Sequence, residues 1–204
     1  MHDRSYGTGE FQMNLIYDFE TLGPAQTGAA VSMAILKFDE TKYVDEPYEY
    51  EDLLAETSFI KFNVAEQVEK YNRIIDKSTL EWWQRKEPEA RIQLEPSDED
   101  RSITELWQFF SDYSKGLDLK KVYTRGNGFD PIVLESIVQT FGYSVPYPWW
   151  IIRDTRSTID GMSWGSGLDD KFIPEGLNEK FVHHDPRHDI VMDVMRMQTI
   201  AGYL

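Results

Sequence analysis

The chain has 204 residues, 41% of them hydrophobic, enough to build the core of one soluble globular domain. With no cysteine, disulfides and thiolate metal sites are excluded, and no apolar run is long enough to span a bilayer. A formal charge of −15 argues against a broadly basic binding surface, although the charge is uneven: residues 39–56 hold eight acids against Lys42 alone, whereas residues 61–91 carry Lys61, Lys70, Arg73, Lys77, Arg85, Lys86 and Arg91. The composition predicts a cytoplasmic protein with no membrane partner.

Residues 1–11 lack a signal-peptide pattern and read as a disordered tail before a domain over residues 12–204. MNLIYDFE (13–20) predicts a strand buried on both faces, AAVSMAILKFD (29–39) a second, and TSFIKF (57–62) a third beyond an acidic loop. Helices are predicted over 63–72 and 78–94, the latter capped by Ser78 with Glu81 three residues on and restarted at Pro88. Another follows over 97–116, with Leu106, Phe109 and Phe110 at core spacing and Gly116 as terminator. Next come a strand KKVYTRG (120–126), a turn NGFDP, a helix over 131–142, a strand WWIIRD (149–154), a glycine-rich loop (161–170) and a last helix from about Asp189. The order βββα, more helices, then βαβα is an α/β arrangement without repeats.

Asp18 and Glu20 lie two residues apart on the first strand and so share a face, while Leu15, Tyr17 and Phe19 take the other. A charge removed from water needs a cation, although alone such a pair also describes a solvated strand edge. Asp130 opens a helix after a strand, where open α/β sheets place ligand sites, and equally suits a helix N-terminus. Asp193 falls among Val191, Val194, Met195 and Met197, an apolar stripe that leaves a carboxylate needing a partner. His188, five residues earlier, is about 140° away around a regular helix. It is therefore expected on the loop before the helix with Asp189 as the cap, free to carry a proton.

Taken together, DFETLG with Asp18 and Glu20, NGFD with Asp130, and HDIVMD with His188 and Asp193 resemble the three motifs of the DEDDh 3′–5′ exonuclease superfamily, which includes DnaQ and ribonuclease T. STLEWWQRKEPEAR, PSDED and RDTRS are most similar to the branch of T-even phage exonuclease A and its bacterial exoribonuclease relatives. The DxE box continues as Thr21, Leu22, Gly23, as in the phage branch, and Asp189 replaces the tyrosine of the tyrosine-type branch. The resemblance implies a ribonuclease H-like fold, a central mixed five-stranded sheet flanked by helices.

It also implies a hydrolase releasing 5′-mononucleotides from the 3′ end of DNA, or RNA, with two divalent cations, Mg²⁺ or Mn²⁺. Asp18 would bridge both ions, Glu20 and Asp193 would hold the first, Asp130 would reach the second, and His188 would accept the proton of the attacking water. Phe19, Thr21, Leu22, Asn127, Arg153 and Arg156 are the candidates for contact with the single-stranded or overhanging end, with Arg125 a further phosphate contact. Arg153 and Arg156 equally suit salt bridges with Asp154 or an acidic loop, and Trp82 and Trp83 suit either base stacking or the core. The rival reading is a catalytically idle acidic protein that mimics nucleic acid and blocks a DNA-binding partner. Oligomeric state is left open.

Overall fold

The computed structural model describes residues 12–203, and the expected tail over 1–11 lies outside them. Its sheet has five strands: β1 (Gln12–Thr21), β2 (Ala30–Phe38), β3 (Ser58–Lys61), β4 (Asp118–Thr124) and β5 (Ile152–Asp154). Their order is β3-β2-β1-β4-β5. β1–β2 and β2–β3 are antiparallel, whereas β4 and β5 run parallel to β1, so the sheet is mixed, as expected.

Helices cover both faces because β1 is apolar on both along much of its length. The odd residues Leu15, Tyr17 and Phe19 pack with Met33, Ile35, α6 (Leu106–Ser114) and α7 (Asp130–Thr140). On the opposite face Ile16 meets Leu36, Phe38 and the apolar stripe of α9 (Pro186–Ala201), including Val191, Val194 and Met197. Around this frame lie α3 (Val64–Tyr71), α4 (Lys77–Trp83), α5 (Pro88–Arg91) and α8 (Thr155–Met162). Among the described residues no helix is long and apolar enough to cross a membrane.

Local chemistry moves several boundaries. The acidic stretch expected as a loop contains α1 (Lys42–Asp45) and α2 (Tyr50–Glu56), whose Tyr43, Tyr50 and Leu53 reach the core. Asp76, rather than Ser78, caps α4: its carboxylate accepts the Thr79 N–H at 2.9 Å. The helix expected from residue 97 begins as a short 3₁₀ turn at Ile103, capped by Ser102. α8 arises directly from β5, with Asp154 accepting the Arg156 and Ser157 N–H groups. The largest consequence comes at α9, where Asp185 is the cap and Pro186 the first residue, so the helix begins before Asp189.

Candidate active site

Strand alternation turns Asp18 and Glu20 toward α9, the face opposite Tyr17 and Phe19. The register of β1 against β2 shifts between Glu20 and Thr21, a bulge that ends regular pairing where the two acids emerge. Asp130 arrives from the neighbouring parallel strand. β4 ends at Thr124, the chain turns through 125–129, and Asp130 opens α7 with its Oδ1 accepting the Phe19 N–H at 3.0 Å. That bond ties the second acid-bearing element to the first.

α9 closes the cleft. Asp189 sits in its first turn and accepts the His184 N–H through Oδ2 at 3.0 Å, which folds the preceding loop back over the helix start. His184 holds a positive φ of 65°, and its carbonyl accepts from Gln93, itself bonded to Ser32 of β2. The imidazole lies edge-on to Trp82, with ring centroids 4.7 Å apart, and no described residue engages either ring nitrogen. Glu20, His184 and Asp189 each offer a ligand atom within 4.8 Å of the others. Asp18, Glu20, Asp130, Asp189 and His184 line one cleft of about 640 Å³. A larger groove of about 1010 Å³ over β3 and α6 gathers no residue of the DFETLG, NGFD or HDIVMD motifs, although Ser97, Asp98, Glu99 and Asp100 of PSDED line it.

The electrostatics of this cleft are those of unpaired acids. Burial and then the neighbouring charges of Asp130 and Glu20 push the Asp18 carboxyl well up, and burial and then Asp189 do the same to Glu20. Burial pushes Asp130 to about 7, and burial followed by Asp193 pushes Asp189 to about 7. Among the described residues none of the four has an ion-pair partner. His184 is lowered to about 4 by burial and then by Lys86, so its imidazole is neutral near pH 7. Oxygen donors gathered without a counter-ion fit hard divalent cations, which would relieve this repulsion.

Two of the five predicted catalytic residues, Asp193 and His188, fall outside the cleft. Asp193 is 1% exposed. Its Oδ1 accepts from Arg125 at 2.6 Å and Arg196 at 2.7 Å, and its Oδ2 accepts from Thr155. It is therefore the neutralised anchor of a buried network. His188 lies inside the first turn of α9 rather than on the preceding loop, and its Nδ1 is bonded to the Tyr50 hydroxyl at 2.7 Å. The sequence carries a signal for this: Asp185-Pro186 is a cap followed by proline at the first helical position, which leaves His184 on the loop and Asp189 in the first turn.

The substrate candidates divide. Phe19 lines the cleft but is 3% exposed and packed edge-on to Tyr17. Leu22 is buried against Trp83, whose indole donates to the Thr21 carbonyl at 3.0 Å, so Trp83 is core. Thr21 donates to the Gly23 carbonyl at 2.8 Å, and Asn127 accepts from Thr124 at 3.1 Å within the turn before Asp130. Arg153 folds onto the carbonyls of Trp150 and Ile152 and forms no salt bridge with Asp154. Arg156 lines the cleft, 4.0 Å from Asp170. Arg125 also lines it, held by Asp170 and Asp193. Trp82 is half-buried under Lys86, whose Nζ stands 4.0 Å from the ring centre. Sequence reasoning missed Lys86, Lys171 and His184 and read Asp189 only as a cap; the Asp185-Pro186 signal could have found His184 and Asp189, whereas the two lysines do not stand out without the fold.

Comparison with known proteins agrees with this architecture. Residues 13–200 match the model of the Rv2179c-like 3′–5′ exoribonuclease domain. An exodeoxyribonuclease of Enterobacteria phage T4 is 31% identical over 208 residues, spanning 93% of this chain and 89% of that protein. Among solved structures, an E. coli ExoI–ssDNA complex superimposes with a TM-score of 0.54 at 15% identity, over 94% of this chain and 40% of the other. The nuclease domain of 3′hExo, a DEDDh family member bound to rAMP, gives 0.50 at 12% identity, over 94% of this chain and 90% of that domain. These two likenesses confirm the ribonuclease H-like fold.

Proposed function

The chain belongs to the Rv2179c-like family of 3′–5′ exoribonuclease domains, and from that membership we propose that it is a two-metal 3′–5′ exonuclease releasing 5′-mononucleotides from single-stranded DNA ends. The observation that carries this reading is the convergence of four unpaired carboxylates and a neutral histidine in one open cleft. We assign the metal-holding role to Asp18, Glu20, Asp130 and Asp189. Divalent cations held there supply the positive charge that offsets the phosphate and the charge building on the leaving oxygen.

The chain's own residues do the rest. His184 accepts the proton of the attacking water as the new P–O bond forms. The bond from phosphorus to the 3′ oxygen of the preceding nucleotide breaks, and that oxygen takes a proton from solvent. An imidazole held low in the free protein is a weak base, and the negative charge of an arriving phosphate raises it toward the working range. Asp189 positions His184 through its backbone N–H. Arg156, Lys171 and Lys86 bring cations to an otherwise acidic cleft, and Phe129, 39% exposed at its rim, offers a face for a terminal base. Preference for DNA over RNA rests on the similarity to the phage T4 exodeoxyribonuclease.

The test is a time course on 5′-labelled single-stranded DNA and RNA oligonucleotides with Mg²⁺ or Mn²⁺. Stepwise shortening of the DNA, absent in Asp18→Ala, is the expected result. Absence of shortening under either metal refutes the activity, and faster shortening of RNA refutes the assigned substrate. Inhibition of a DNA-binding protein without digestion would favour the idle mimic.

A further inference from the structure

Arg73 is the anomaly outside the cleft. In a chain with 36 acidic and 21 basic residues, this arginine is 9% exposed and, among the described residues, has no carboxylate partner. Its Nη atoms donate only to neutral oxygens: the Gln26 carbonyl at 3.0 Å and the Ser136 hydroxyl at 2.8 Å and 3.2 Å. Burial of a guanidinium without a counter-ion is costly, and neutral hydrogen bonds leave its charge uncompensated. Among the described residues the other buried arginine, Arg196, meets Asp193 at 2.7 Å, so this fold pairs such a group where it has no other use for it.

Beside Arg73 lies a cavity of about 140 Å³. It has less than a quarter of the volume of the acidic cleft, a size that suits a small hydrated group. Thr27, Asn72, Ser136 and Thr140 bring polar side chains to its wall, and Tyr71 against Phe141 closes the apolar side. Among the described residues no acidic side chain lines it. We infer that this cavity is a phosphate-binding site, with Arg73 as its charged ligand and the Thr27 hydroxyl and Asn72 amide as neutral donors, since the Ser136 and Thr140 hydroxyls already donate to the Val133 and Ser136 carbonyls.

Its position suits a second contact with a nucleic-acid strand. α7 carries Asp130 at its first residue and Ser136 about 9 Å further along its axis. The cavity's other wall includes Gln26 and Thr27, which follow the strand bearing Asp18 and Glu20. A strand whose 3′ end rests on the acids reaches the cavity with a phosphate near that end. The anion site itself does not depend on the nuclease reading; only assignment of its source does.

Two measurements test it. In EDTA, which removes metal-bound phosphate at the acids, inorganic phosphate should raise the wild-type melting temperature with the logarithm of its concentration, by about 3 to 6 °C at ten times its dissociation constant. Chloride at matched ionic strength should not. The rise should vanish in Arg73→Gln and in Thr140→Trp, which fills the mouth without touching the arginine's own hydrogen bonds. No rise, or an undiminished rise in a folded Thr140→Trp protein, overturns the site.

The second measurement identifies the source. If the strand supplies the phosphate, Thr140→Trp raises KM for an oligonucleotide severalfold at unchanged kcat, and one neutral methylphosphonate linkage near the 3′ end removes the difference. Unchanged KM with a lost phosphate response assigns the site to the free anion. An oligonucleotide that is not digested sinks the nuclease reading and leaves the melting result standing.

Discussion

Asp189 and Asp193 are one helical turn apart on α9, and replacing each with asparagine should move stability in opposite directions. Without metal, Asp189 is held at about 7 against an ordinary value of 3.8. Carrying its charge at pH 8 therefore costs at most about 4 kcal/mol, reduced by relaxation of water and side chains around it. Asp189→Asn removes that charge and keeps an oxygen to accept the His184 N–H. It should stabilise the metal-free protein by about 1 to 3 kcal/mol, or roughly 2 to 4 °C per kcal/mol. Asp193→Asn strips the shared carboxylate from Arg125 and Arg196, and breaking a buried ion pair of this kind costs about 3 to 5 kcal/mol. Urea unfolding in EDTA at pH 8 reads both. Repeating it with Mg²⁺ should show the metal-induced gain lost in Asp189→Asn and retained in Asp193→Asn. Reversed signs, or a metal response lost only with Asp193→Asn, would refute the division into a ligand and a neutralised anchor.

The pH dependence follows from the same acids. Because Asp130 and Asp189 are raised in the folded state, their contribution to stability is fully present below about pH 4 and is lost as pH rises through about 7. Melting temperatures in EDTA should carry that falling component between about pH 4 and 7, and saturating Mg²⁺ should abolish it; identical profiles with and without metal would count against metal binding here. His184→Ala should lower kcat by about 10² to 10⁴-fold while leaving the Mg²⁺ melting shift intact. His188→Ala and Tyr50→Phe should instead leave kcat within a few-fold and each lose about 1 kcal/mol, the worth of their shared hydrogen bond. Gly28→Ala should be strongly destabilising, since its Cβ would meet the Gly23 backbone at 2.4 Å, a collision that circular dichroism melting will register.

The fold was legible because β1, β2, α7 and α9 carry continuous apolar patterns that admit few packings. Alternation along β1 already separated Asp18 and Glu20 from Tyr17 and Phe19, and the turn before Pro131 already put Asp130 at a helix start. The helices inside residues 39–56 were hidden, because their stability comes from Tyr43, Tyr50 and Leu53 reaching the core, not from local pattern. Arg153 and Arg156 looked equivalent in sequence, yet one turns back on its own backbone and the other lines the cleft. Arg153 stands on a short edge strand and Arg156 in the first turn of α8, and side-chain direction at that junction has no local determinant.

The sequence by itself determined that a histidine precedes an aspartate by five residues near the start of an apolar helix, but it offers that spacing twice: His184 with Asp189, and His188 with Asp193. The two aspartates differ by about 40° around the helix and about 6 Å along it, so periodicity does not distinguish them. Tertiary structure makes the choice. Capping by Asp185 starts α9 early enough to deliver Asp189 to the acids of β1, and Arg125 and Arg196, arriving from elsewhere in the fold and from the next turn, neutralise Asp193.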